Sequence, residues 1–251
     1  MEVTLIIIIL AICAGLIKGF TGFGLSIILI SVLLNMGILP TKLLPILVPL
    51  FIVLDLILFF ENMKFIKIDF KENFTLHSTT LMTLFIGLLI GTHLLTIGNS
   101  KYLQLIFAII ILISLFFLIG KVELHQMRIP NERLNGIFGF ITGILTGLFT
   151  MNAVPPSIYM IYHQYPKEKY MGSLVTFLII SDILLISVYL FKNLFTLEGL
   201  LISIKLFFMV LFGFAIGIIL RKKVSSKYFK SIVIFILAIN SLKIIFDFFF
   251  N

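Results

Sequence analysis

Charge is scarce in this chain: 12% of its 251 residues are Asp, Glu, Lys or Arg, while 61% are hydrophobic. Soluble domains carry roughly twice that charged fraction, so the composition excludes a soluble fold and predicts a polytopic membrane protein. Cysteine is almost absent. A single Cys13 rules out an internal disulfide and argues against a zinc site. HExxH, GxSxG, a cysteine cluster and a convergent Asp/His set are all missing, so neither an enzyme nor a metal site is expected, and no non-protein cofactor is implied. The first apolar run has Glu2 in place of a basic leader and no small-x-small cleavage pattern, and it reads as a retained helix rather than a signal peptide. The net charge of +8 falls mostly between apolar runs. That placement fits topology determinants facing anionic lipid and not a nucleic-acid partner.

Against this background Gly15 to Gly24, GLIKGFTGFG, stands out within the apolar run Val3 to Leu34. As one helix that run would measure about 48 Å at ~1.5 Å per residue, too long for a ~30 Å hydrocarbon core. Broken at the glycines it gives two pieces of about 22 Å, each too short to cross alone. A hairpin of two half-helices fits both lengths. Irregular backbone at that depth survives only where it lines a cavity or is buried in protein.

Further apolar segments follow at about 41–60, 74–97 and 102–120, and after a polar stretch at 121–133 the opening theme returns. Gly139, Gly143 and Gly147 lead to the interruption Thr150-Met151-Asn152-Ala153-Val154-Pro155-Pro156, and spans follow at about 170–191, 199–220 and 228–250. The halves match internally. Gly87 and Gly91 pair with Gly213 and Gly217, Ser100-Lys101-Tyr102 with Ser226-Lys227-Tyr228, Asp55 with Asp182, and Gly15 and Gly19 with Gly139 and Gly143. Duplication of this kind points to a secondary-transporter architecture. If each interrupted segment enters and leaves on one side, one face of the membrane collects thirteen loop Lys and Arg against three; if each crosses once, the count is nine against seven. The positive-inside rule selects the first arrangement, with both termini outside, although two short full crossings would have the same parity. The expected fold is an all-α polytopic membrane protein of two inverted repeats. Each repeat is an interrupted hairpin or half-helix segment plus three transmembrane helices. Residues 1–120 form the first repeat, 121–133 a connecting loop and 134–251 the second.

With Gly15-xxx-Gly19-xx-Gly22-Phe23-Gly24, Gly139-xxx-Gly143-xxx-Gly147, Pro155-Pro156 and the paired glycines Gly87/Gly91 and Gly213/Gly217, the chain resembles the TauE/SafE family of sulfite-exporter-type membrane proteins. The resemblance covers almost the whole chain. It implies export of sulfite, sulfonates or related organic anions. The chain departs from the family pattern at Met151-Asn152-Ala153-Val154, where a glycine-rich turn is expected, and at Lys18.

Two broken helices can aim backbone N–H groups and the positive ends of their dipoles at one anion. Thr21, Gly22, Phe23 and Gly24 open one second half-helix, and Asn152 to Ser157 the other, with Pro155 and Pro156 suited to a first helical turn. Thr21, Ser26, Thr150 and Asn152 are candidate side-chain donors. The alternative for the glycines is close helix packing, favoured for Gly15, Gly19, Gly87, Gly91, Gly213 and Gly217. Lys18, at mid-depth, requires an anionic partner, either substrate or a carboxylate. Asp55 and Asp182 are proton-coupling candidates, with a structural ion pair between Asp182 and Lys205 as the alternative. His77 and His93 are too far apart along their span for a metal pair, and His163 reads as an interfacial group.

The expected function is secondary transport of small anions by alternating access, proton coupling included as a hypothesis. A passive anion channel or a drug/metabolite exporter of another family is the alternative. The expected partners are a small anionic substrate and the lipid bilayer, with a homo-oligomer left open. Composition rich in Ile, Phe and Lys suggests an AT-rich prokaryotic genome and a plasma-membrane location.

Overall fold

The structure, a computed structural model, describes residues 5–22, 25–35, 40–63, 78–119, 131–162 and 165–221, and 242, 245–246 and 248–250 near the C-terminus. These form nine helices: α1 Leu5–Thr21, α2 Leu25–Asn35, α3 Pro40–Asn62, α4 Ser78–Ile97, α5 Ser100–Ile119, α6 Asn131–Phe149, α7 Val154–Tyr162, α8 Lys167–Phe191 and α9 Leu197–Arg221. No strand occurs among the described residues. Four stretches, Pro40–Asn62, Ser78–Ile97, Gly172–Phe191 and Leu197–Leu220, are long and apolar enough to cross a membrane. The expected span at 228–250 and the basic stretches at 64–73, 121–130 and 222–230 lie largely or wholly outside the described residues.

Local sequence explains the helix ends. Pro40 opens α3, where its fixed φ suits the first turn and its missing N–H costs nothing. Asn99 caps α5 by accepting the Lys101 N–H at 2.9 Å, and Thr196 caps α9 by accepting the Gly199 N–H at 3.1 Å. Helix α8 stops at Asn193, which takes φ 52°. The Asn193 N–H is accepted by Leu190 O and the Leu194 N–H by Tyr189 O, both at 3.0 Å. This is a Schellman stop, with Asn in the left-handed place it tolerates better than most residues.

The helices gather into two compact units. One holds α1, α2, the start of α3 to Leu47, α5 and α9; the other holds the rest of α3 from Val48, α4, α6, α7 and α8. Each unit draws helices from both halves of the chain. The first is built on the packing of α1 against α9, the second on that of α4 against α6.

Both seams are made of glycine. A Cβ placed on Gly15 would meet Val210 O, and one on Gly19 would meet Phe214 O. From the other side, Gly213 faces Ile12 O and Gly217 faces Leu16 O. Contacts advance in step along both helices, so α1 and α9 run parallel. Between α4 and α6 the pattern repeats: Gly143 faces Leu84 O, Gly147 faces Leu88 O, Gly87 faces Phe140 O and Gly91 faces Ile144 O. At each point a Cα hydrogen points at a carbonyl oxygen, a weak contact that gains strength by recurring. In lipid, where apolar surface has no water to escape, such close backbone approach supplies the association.

These contacts fix the register between the halves. Gly15 corresponds to Gly143 and Gly19 to Gly147, an offset of 128. Matching glycine letters alone pairs Gly15 with Gly139 instead, one helical turn away. The turn matters because the carbonyl under each glycine identifies the equivalent position, and that carbonyl lies on another helix.

The seams give a direct test. Gly213→Val and Gly143→Val place a side chain on a facing carbonyl and are expected to cost about 1–3 kcal/mol or more through overpacking. Gly136, whose Cβ would meet only Thr83 Cγ2 at 3.8 Å, is the control. Gly136→Ala is expected to be neutral or to stabilise by about 0.5–1 kcal/mol. Thermal midpoints in detergent, read by size-exclusion recovery after heating, check both; equal midpoints for Gly213→Val and wild type would refute the seam.

Candidate functional site

The chain interrupts its helices at two related points, one in each unit. Glycine permits a break without forcing one, and α1 runs unbroken through Gly15 and Gly19 to Thr21. The break expected across Gly15–Gly24 therefore narrows to its last residues. Gly22 takes φ 86° and its N–H is accepted by Lys18 O at 2.7 Å. In the second half Thr150 takes φ 54° and its N–H is accepted by Thr146 O at 2.8 Å. Gly22 and Thr150 are offset by 128, the register set by the seams. Glycine adopts this conformation freely, whereas a β-branched residue there is an outlier held by its surroundings.

The arms of each interrupted segment are unequal. At ~1.5 Å per residue, α1 is about 25 Å long and α6 about 28 Å, against about 16 Å for α2 and 13 Å for α7. Neither short arm can cross a ~30 Å core.

In the first unit, Lys18 is buried, 4% exposed, in the last turn of α1. The negative end of the helix dipole favours its ammonium there, which offsets part of the cost of burial. Gly22 is buried and Ser26 half-buried in the first turn of α2. Phe23, Gly24 and the side chain of Thr21 lie outside the described residues.

In the second unit the break is tied to α8. Asn152 Nδ2 donates to Ser181 Oγ at 2.9 Å and to Asp182 Oδ1 at 2.7 Å, so both amide hydrogens are committed. Ser181 Oγ in turn donates to Leu178 O at 2.8 Å. Thr150 Oγ1 donates to Phe149 O at 2.7 Å. Tyr170 OH donates to Ser157 Oγ at 3.0 Å, joining α8 to α7. Thr150, Asn152, Ser181 and Asp182 are all at least 92% buried. The side chains expected as free donors here, Thr150 and Asn152, are thus already engaged within the protein. Pro155 and Pro156 remove two more donors from the first turn of α7, and Ser157 N–H is accepted by Ala153 O. The other backbone N–H groups at the start of α7 are those of Ala153 and Val154.

The structure thus brings together Thr150, Asn152, Pro155 and Asp182 in one unit, and Lys18, Gly22 and Ser26 in the other. Asp55 is buried at 1% exposure in α3. Lys205, the alternative partner for Asp182, is exposed. His93 is exposed, and His77 and His163 lie outside the described residues. Among the described residues no group of three or more His, Cys, Asp or Glu converges. Sequence reasoning missed Ser181 and Tyr170. The first was legible as a polar neighbour of an intramembrane aspartate; nothing marked the second.

Removing the amide tests the clamp. Asn152→Ala removes one donor from Asp182 Oδ1 and one from Ser181 Oγ and is expected to destabilise by about 1–3 kcal/mol. Thr150→Gly relieves the left-handed strain and is expected to stabilise by up to about 1 kcal/mol. Opposite signs in thermal midpoint support the geometry, and a stabilising Asn152→Ala would contradict it.

The family model for Sulfite exporter TauE/SafE matches residues 7–244. No curated protein and no solved structure matches the chain. The matched region takes in both glycine seams, both helix breaks and all four membrane-length helices. Its members are transporters and not enzymes, and on that match the chain belongs to the sulfite exporter TauE/SafE family of membrane transporters.

Proposed function

We propose that the protein is a secondary transporter that exports a small anion, of the sulfite, sulfonate or related organic class, across a prokaryotic plasma membrane. The observation that carries this reading is the pair of buried helix breaks, at Gly22 and Thr150, set at equivalent points of two alike glycine-sealed helix pairs. Broken helices in lipid expose backbone groups that only a cavity, protein or substrate can satisfy. In transporters built from inverted repeats, half-helix N-termini meet anionic substrates near the midplane. In this reading the halves are inverted and alternate access by rocking one against the other. Lys18 supplies positive charge at the first break, and backbone N–H groups supply donors at each break.

Asp55 and Asp182 are the proton-coupling candidates. Both are buried acids in equivalent helices, and intramembrane carboxylates serve as proton relays in many pumps and transporters.

Flux into proteoliposomes tests the proposal with labelled sulfite, a labelled sulfonate and a control cation. Saturable anion flux that falls at least ten-fold in Lys18→Ala is the expected outcome; flux intact in that variant would remove Lys18 from the site. With a proton gradient imposed, Asp55→Asn or Asp182→Asn is expected to abolish gradient-driven accumulation while leaving exchange. Both variants accumulating at the wild-type rate would end the coupling hypothesis.

A further inference from the structure

The two long arms differ on one face. On α6, Asn135, Thr142 and Thr146 recur at spacings of seven and four residues, which places them on one side of the helix. They lead to Thr150 at the break, over a rise of about 22 Å at ~1.5 Å per residue. All four are buried, with Asn135 at 5% exposure and Thr142 and Thr146 at 0%. The glycines that meet α4 lie on the adjoining face, so this row is not part of the seam. By the 128 register the corresponding residues of α1 are Ile7, Ala14, Lys18 and Gly22, also buried. One arm therefore carries a polar row to its break, and the other carries apolar side chains up to Lys18.

Shape does not require hydroxyls there, since Ala14 fills the equivalent of Thr142. Thr142 Oγ1 donates to Phe138 O, and Thr146 Oγ1 donates to Thr142 O at 2.6 Å. Their hydrogens are used, and what each presents outward is an acceptor lone pair. A bare anion would be repelled by such a row, whereas water would donate to it. A second, independent observation points the same way. Asn135 Oδ1, in the row, and Thr80 Oγ1, on the neighbouring α4, are buried side-chain oxygens with no hydrogen-bond partner among the described residues. Thr80 is 0% exposed. Oxygens like these lose their hydration on burial and recover it only from a donor such as water.

We infer that the Asn135–Thr142–Thr146 face of α6 is the aqueous access track to the second break, closed in this conformation and hydrated when the transporter opens on that side. Its ligand is water together with a hydrated small anion, whose shell donates to the threonine oxygens while the anion keeps its own waters. The face of α1 holds no such track, so access to the first break does not run along α1. The proposal rests on the reading of the breaks as the substrate site, and it adds the route by which that site meets solvent.

Because Cys13 is the only cysteine, accessibility can be read in a Cys13→Ser background. Asn135→Cys, Thr142→Cys and Thr146→Cys are compared with Ile7→Cys and Ala14→Cys on α1, and with Ile141→Cys on the exposed face of α6. Proteoliposomes are treated with a water-soluble methanethiosulfonate, with and without methanesulfonate as the anion probe; sulfite is avoided because it attacks the reagent. The three track positions are expected to label at least ten-fold faster than the others, and methanesulfonate to slow Thr146→Cys most. Labelling no faster than at Ile7, Ala14 and Ile141 overturns the track, and does so without touching the transport reading if anion flux persists. Fast labelling that methanesulfonate leaves unchanged supports the track and counts against anion binding at the break. Should the cysteine variants fail to fold, Thr142→Val with Thr146→Val keeps the shape and removes the oxygens. Flux reduced ten-fold or more at an unchanged thermal midpoint supports the track, and wild-type flux overturns it.

Discussion

A carbonyl oxygen seated where a side chain would otherwise begin is the contact on which the rest of this molecule depends. It recurs nine times, four on the α1–α9 seam and five on the α4–α6 seam, and each instance requires a residue with no Cβ. Apolar side chains give helices in lipid little reason to associate, because the solvent around them is equally apolar. What holds α1 to α9 and α4 to α6 is backbone approach, which only glycine permits at such distances. The breaks at Gly22 and Thr150 depend in turn on these seams. Each lies just beyond the last glycine contact of its helix, so the seam anchors one side of an irregular turn and leaves the other to be held locally.

The local solutions differ between the halves. At the first break glycine itself accepts the left-handed conformation. At the second a threonine is forced into it, and two residues further on Asn152 is clamped to Ser181 and Asp182. Strained backbone persists where its surroundings over-determine it. The two breaks therefore hold a left-handed residue by different means, with permissive sequence at Gly22 and a strained threonine at Thr150. The difference extends along the long arms, which are polar on α6 and apolar on α1.

Much of this was legible in the residues. Low charge and long apolar runs gave the membrane class, and simple length arithmetic showed that Val3 to Leu34 could not be one spanning helix. The family followed from the order of the glycines. Position within the break was less legible, because glycine is compatible with both helix and turn, and Gly15 and Gly19 were needed for packing. The seams align at an offset of 128 where glycine letters alone give 124, because letters match glycine to glycine and the seams match the carbonyl that lies opposite. The Asn152–Asp182 contact joins residues thirty positions apart on separate helices, and no local pattern announces it. Asp182 itself was visible as a charge in an apolar span; what it holds was not.

The pairing of helices also sets an order in which the molecule can be made. Only α5 separates α4 from α6, so that seam can close as soon as α6 has left the ribosome and entered the bilayer. The glycine face of α1 must wait for α9, with seven described helices between them. Until then the glycine row of α1 lacks the carbonyls it meets in the folded protein. The glycine face of α1 is thus met later in synthesis than that of α4.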